Sequence, residues 1–251
     1  MFSVDLNCDM GESFGAWRMG RDAELMDYVS SVNIACGFHA GDATVIRKTV
    51  ETAINKNVRV GAHPSFPDLQ GFGRREMKMS PAEIFDIVLY QVAALKGMCE
   101  AFGGVLHHVK PHGALYNQAA KDVVIAEAIA KAVAAIDANL IFYGLSNSFL
   151  ISEAERINLK TASEVFADRT YQTDGTLTPR VQSNALIETI EKSVEQVLQM
   201  IKSQTVTATN GEQISITAET VCIHGDGEHA LEFAKTINRA LIDNDIKMQS
   251  I

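Results

Sequence analysis

Residues 3–12 read SVDLNCDMGE. Val4, Leu6 and Cys8 alternate with Asp5, Asn7 and Asp9, and the run ends at Gly11. A period of two is the mark of a β-strand, because successive side chains point to opposite faces. A parallel strand buried on both faces reads as nearly continuous Val, Ile and Leu. Here one face is apolar and the other carries carboxylates and an amide. The same grammar recurs. Val32, Ile34 and Cys36 oppose Asn33, Ala35, Gly37 and His39. Val58, Val60 and Ala62 oppose Arg59, Gly61 and His63. Val105, His107 and Val109 oppose Leu106, His108 and Lys110, while Val221 and Ile223 oppose Cys222 and His224. An apolar face turned to helices and a polar face turned into a barrel explain the pattern. Unpaired buried polar groups cost roughly 1–3 kcal/mol each, so the polar face must form a network or line a wet mouth.

The rest of the chain fits this frame. Strands are predicted at 3–8, 32–36, 58–62, 105–109, 140–144, 159–166 and 220–224. Helices are predicted at 43–57, 81–102, 121–138, 184–202 and 228–244. Asp42 is a candidate N-cap, and Ser80 with Glu83 forms a capping-box pattern. Strand–helix alternation argues for parallel strands with right-handed crossovers. Seven repeats in one undivided chain favour a closed (β/α) barrel, with an open doubly wound sheet as the alternative. Asn210-Gly211 between alternating runs marks a small hairpin at 205–217. No linker or repeat divides the chain, so residues 1–251 read as a single α/β domain.

Bulk composition excludes several function classes. Of 251 residues, 47% are hydrophobic and the formal charge is −9. An acidic chain without a basic run is a poor nucleic-acid binder. No segment reaches the length of a membrane span. No secretory signal is visible, and Cys8, Cys36, Cys99 and Cys222 are too widely spaced for a zinc knuckle or CxxC. They read as reduced thiols of a cytoplasmic protein. No phosphate loop, Rossmann fingerprint or GxSxG is present.

The chemistry collects where strands end. Six of the seven predicted strands run into polar, glycine-rich turns, at the end where α/β barrels and open sheets build their sites. His39, His63, His112 and His224 follow four different strands. Asp9, His39 and His63 would supply an Asp-His-His metal set of the kind some metal-dependent deacetylases use. Lys110 points inward and needs an acidic partner, with Asp5, Asp9 and Glu164 as candidates. Arg74, Arg75, Arg169 and Arg180 lie in long loops and are candidates to meet substrate or a partner protein. The stretch 167–182 is long for a barrel connection and reads as a lid or binding loop.

Six blocks, DLNCDMGE, NIACGFHAGD, GAHPSFPDLQGFGRR, HHVKPHGALYN, EVFADRTY and CIHGD, occur in order from Asp5 to Asp226. Together they resemble the LamB/YcsF family, the A subunits of bacterial 5-oxoprolinase. Ala43 departs from the proline expected after Gly-Asp, which removes a favourable first-turn residue and no chemistry. The resemblance implies a distorted seven-stranded TIM-like barrel of the glycoside hydrolase/deacetylase type. It implies ATP-dependent hydrolysis of the 5-oxoproline lactam to glutamate, with B and C subunits and Mg accompanying ATP. Asp9, His39, His63, Lys110 and His112 become the expected catalytic residues. Asp5, Asn7, Glu12, Asp42, Arg74, Glu164, Asp168, Arg169, His224 and Asp226 become the expected substrate contacts. A further divalent metal and assembly of identical copies stay open. The alternatives are a metal-dependent amide or carbohydrate deacetylase, or a non-catalytic substrate-binding subunit.

Overall fold

The structure is a computed structural model that describes residues 2–225 and 230–251. The strands run β1 (Ser3–Met10), β2 (Ser31–Ala35), β3 (Arg59–His63), β4 (Leu106–Val109), β5 (Ile141–Leu145), β6 (Lys160–Phe166), β7 (Thr205–Thr207), β8 (Gln213–Ser215), β9 (Thr220–Ile223) and β10 (Lys247–Met248). Seven of them, β1 to β6 and β9, pair in parallel in that order, and β9 returns to pair with β1. The predicted barrel is therefore closed. The hairpin at 205–217 is also present, as an antiparallel β7–β8 pair outside the barrel. The unforeseen β10 adds to the start of β1, at Ser3 and Val4.

The helices are α1 (Asp22–Leu25), α2 (Ala43–Asn55), α3 (Pro81–Ala101), α4 (Gly113–Ala119), α5 (Val123–Ile136), α6 (Phe149–Arg156), α7 (Ile190–Ser203) and α8 (Ala230–Asp243). Leu6, Ile34 and Val60 from the strands join Val88, Leu95, Ile129 and Ile237 from the helices in one buried core. Asp42 caps α2 by accepting from Thr44 and Val45. Ser80 and Glu83 close the expected capping box on α3. Three short helices, α1, α4 and α6, were too brief for the period of 3.6 to reveal. The helix predicted from 184 begins at Ile190, because 185–187 hydrogen-bond back to 168–170 instead. The first two residues of the helix predicted at 228–244 lie outside the described residues, as does Asp226.

One predicted face is corrected. Val60 pairs with Leu106, but its neighbour Gly61 pairs with His108, so β4 skips His107. An extra residue on one strand reverses the side-chain alternation around it. Leu106 therefore joins the helix-facing core rather than the barrel interior. Val105 is 81% exposed and precedes the strand. His107 bonds to His108 Nδ1 and the Ile251 carbonyl rather than packing on helices. His108 and Lys110 still point inward. The ring of His108 fills the space where a side chain at position 61 would stand: a Cβ on Gly61 would lie 2.1 Å from His108 Nε2.

Candidate active site

The barrel interior is a layered polar network. At its base, Asp5 accepts hydrogen bonds from the hydroxyls of Ser30, Ser31, Thr220 and Tyr143, at 2.6 to 3.1 Å. This ties β1 to the start of β2, to β5 and to β9. Asp5 is thus a structural floor and not a substrate contact. His108 stacks on Tyr143 with ring centroids 4.1 Å apart and lies 2.7 Å from Asn33 Oδ1. Burial, then His107, holds its pKa well below the ordinary imidazole value, so it is a neutral spacer.

One layer up sits Lys110, buried at the end of β4. Its ammonium donates to Asp9 Oδ1 (2.9 Å), Cys222 Sγ (3.0 Å) and Asn7 Oδ1 (3.4 Å), and Glu164 Oε1 pairs with it at 2.8 Å. The Phe166 ring lies 5.4 Å away. Burial alone would lower the lysine pKa. Asp9, then Cys222 and Glu164, reverse this and hold it well above its ordinary value. Lys110 is therefore a fixed cation and not a base. Burial would likewise raise Asp9, but positive charge at the His63 Nε2 position and on Lys110 holds it well below the carboxylate range. Asn7 donates to Glu164 (3.1 Å), and Asn33 donates to both Asn7 and Asp9. Tyr116 donates to the second oxygen of Glu164 (2.7 Å). Asn7 and Glu164 are thus supports beneath the site rather than substrate contacts.

Beside this layer, three imidazoles meet. His39 and His112 are stacked, with centroids 3.8 Å apart and planes 6° from parallel. His63 stands edge-on to both. Glu12 Oε1 lies 3.3 Å from His39 Nε2 and 3.8 Å from His112 Nδ1. Gly73 lets the loop pass: it has φ +65°, and a Cβ there would meet Ser65, His112 and His39 at 2.3 to 2.8 Å. One donor atom from each of Glu12, His39, His63 and His112 falls within 4.8 Å of all the others. This group differs from the expected metal set Asp9, His39 and His63 by the addition of Glu12 and His112, while Asp9 Oδ2 lies 3.3 Å from His63 Nε2. Asp9 Oδ1 is taken by Lys110 and Asn33, and the carboxylate grouped with the three imidazoles is that of Glu12.

A cavity of about 770 Å³ opens over these residues. Asp9, His63, Lys110, His112 and His224 form its inner wall, while Arg74 and Arg180 belong to its loops. His224 is held by Asp168 at 2.9 Å and stacked on Phe166. Burial would raise the Asp168 pKa, but His224 and then Arg180 and Arg169 hold it below its usual value. Arg169 lines the cavity but is 3% exposed, and its guanidinium donates to the carbonyls of Thr178 (2.6 Å) and Ala185 (3.3 Å). It braces the loop, and burial, then Arg180, pushes its pKa down to about 10. Asp42 caps α2, accepts from the Gly15 amide (2.8 Å) and does not line this cavity. Arg75 turns away to pair with Asp68. Tyr116, Asn33, Cys222 and Phe166 were not singled out from the sequence. Asn33 and Cys222 lay on the polar faces of their strands, which was the available signal.

The described residues contain no helix long and apolar enough to cross a membrane. The LamB/YcsF family profile matches residues 4–251. A protein of Tolumonas auensis, named as the A subunit of 5-oxoprolinase, is 56% identical, with 100% of both chains covered. One of the same name from Bacillus subtilis is 55% identical over 100% of this chain and 98% of its own. Among solved structures, a lactam utilization protein from Thermus thermophilus superposes with a TM-score of 0.94 at 42% identity over 100% of both chains. A T48 deacetylase shares the fold, with a TM-score of 0.51 at 13% identity over 98% of this chain and 87% of its own.

Proposed function

From the premise that the chain belongs to the LamB/YcsF family, we propose that it is the A subunit of a 5-oxoprolinase, opening the 5-oxoproline lactam to glutamate within a multi-subunit assembly. The observation that carries this reading is full-length identity near 55% to proteins of that name. The geometry supports it. The cavity ends on a permanently charged lysine beside an ionised carboxylate, which suits an amide carbonyl that develops negative charge.

The reading includes ATP, with Mg, as co-substrate, and B and C subunits as partners. A lactam is a stable amide. Transfer of the γ-phosphoryl group to its oxygen makes that oxygen a leaving group. One water then adds to the ring carbon and the C–N bond breaks, the nitrogen taking a proton, to leave a free amine and an acyl phosphate. A second water hydrolyses the acyl phosphate to the carboxylate and inorganic phosphate. Lys110 neutralises the oxygen as charge gathers there. Asp9, held ionised, orients the attacking water. Arg74 and Arg180 at the cavity loops attract the substrate carboxylate. ATP-dependent glutamate formation, measured with this chain and its B and C partners, tests the reading. Lys110→Ala lowers kcat by about 10²–10³, while Arg74→Ala mainly raises KM. Absence of glutamate from the complete assembly sinks the reaction. Full activity of Lys110→Ala sinks the site.

A further inference from the structure

The His63 and His112 rings are each fixed by a backbone carbonyl. His63 Nδ1 lies 2.7 Å from the Lys110 oxygen, and His112 Nε2 lies 2.9 Å from the Phe72 oxygen. A carbonyl only accepts, so both of these nitrogens carry hydrogen. In the neutral rings the opposite nitrogens, His63 Nε2 and His112 Nδ1, then bear lone pairs. Those two atoms face each other at 2.9 Å. Two lone pairs at that distance repel unless a positive centre sits between them.

We propose that this centre is a first-row divalent metal ion bound by His63 Nε2, His112 Nδ1 and the carboxylate of Glu12. Three observations favour an ion over a shared proton. A ligating imidazole commonly donates its other N–H to a backbone carbonyl, as both rings do here. A proton needs only two nitrogens, whereas a carboxylate oxygen converges on the same point, 3.8 Å from His112 Nδ1. At metal–nitrogen bonds of about 2.1 Å, nitrogens 2.9 Å apart subtend roughly a right angle at the ion, an ordinary angle between neighbouring ligands. Two imidazoles and one carboxylate suit zinc, cobalt or manganese better than magnesium or calcium, which prefer all-oxygen shells.

The stacking assigns His39 a different task. A metal lies in the plane of the imidazole that binds it. The His39 and His112 planes are nearly parallel and their centroids are 3.8 Å apart, so one ion cannot lie in both. His39 instead orients Glu12 through Nε2, at 3.3 Å. The remaining position of the ion faces the cavity, beside Asp9 Oδ2, which is 3.3 Å from His63 Nε2.

Metal binding can be read without substrate, so the site is tested independently of the lactam reaction. The full chain is stripped with a chelator and titrated separately with Zn²⁺, Co²⁺ and Mn²⁺, with bound metal counted by mass spectrometry. One equivalent of zinc or cobalt is expected, with a visible absorption band for cobalt. Nitrogen NMR of the histidines in the unmutated chain is expected to shift His63 and His112 on zinc addition far more than His39. His63→Ala and His112→Ala weaken binding by more than about 100-fold, and His39→Phe, which keeps a ring over His112, by roughly 10–100-fold. Circular dichroism checks that each variant folds. Stoichiometry below about a tenth of an equivalent for all three metals overturns the proposal. So does an NMR spectrum showing a proton shared between the two rings of the metal-treated chain.

Discussion

Lys110 is surrounded by more negative charge than one ammonium neutralises, with Asp9 and Glu164 both within 2.9 Å. Removing the ammonium leaves two buried carboxylates facing each other. Lys110→Met, close in volume, is therefore expected to destabilise the fold by about 3–5 kcal/mol, read as a lower midpoint of urea unfolding. A loss under about 1 kcal/mol would mean that the carboxylates are solvated through the cavity. Position 61 gives a second test at the same scale. Gly61→Ala drives a methyl group into the His108 ring, at an expected cost of about 1–3 kcal/mol, again in urea. The same alanine in His108→Gly should be far less harmful. Lys110 was legible in the sequence because alternation placed it inward and a buried lysine demands acids. The misplacement of Leu106 has an equally local cause. A strand that skips one residue against its neighbour leaves no mark in its own sequence, so strict alternation assigned the wrong face. Glu12 was singled out only through the family resemblance, and its place among the imidazoles follows from a turn at Gly11 that alternation does not describe.

At the scale of elements, the loop between β3 and α3 matters most, because it delivers the Phe72 carbonyl to His112 and the Arg74 side chain to the cavity. Asp68 organises it. This buried carboxylate accepts from the amides of Gly71 (3.0 Å) and Arg75 (3.2 Å) and pairs with the Arg75 guanidinium, whose side chain is 65% exposed. The Arg75 side chain holds the Asp68 pKa below its ordinary value, with the backbone amides adding to the effect. A carboxyl depressed in the folded state lends its full stability above its unfolded pKa and loses it as pH falls through the folded one. Loop order should thus be complete at neutral pH and decay below about pH 4. Amide exchange at Gly71 and Arg75 reports it: protection falls with acid in the native chain, and Asp68→Asn removes that dependence. Protection that stays constant through the acid range would show that the backbone alone holds the loop. Helix α3, by contrast, starts on a signal visible in sequence, and Ser80→Ala should cost about 1 kcal/mol by thermal unfolding. The late start of α7 was not visible. Residues 184–189 have an ordinary helical composition, and only pairing with the distant 168–170 segment draws them away.

Over the whole molecule, closure of the barrel decides both the site and the stability. Seven strands must meet in order before Asp9, Lys110, Glu164 and Cys222 share one interior, because they come from β1, the end of β4, β6 and β9. The β1–β9 pairing joins positions more than 200 residues apart, such as Asp5 and Thr220. Alternation along single strands predicted that these faces would be polar, yet which residues meet is set by the stagger between strands, and that is a property of the closed sheet. A main core running from β1 to α8, with a small second cluster of Ile141, Tyr143 and Ala162, also predicts how the chain unfolds. Leu6 is fully buried in the wall of β1 beside this closure. Leu6→Ala should cost about 2–5 kcal/mol without changing the slope of the denaturant transition, since the same surface is exposed on unfolding. Helical signal and the near-ultraviolet signal of the buried tyrosines, Tyr143 among them, should be lost together in this variant as in the parent. If the tyrosine signal fell at lower denaturant than the helical signal, the barrel could open while its helices persisted. The interior charges would then be held by neighbouring strands in pairs rather than by the closed ring.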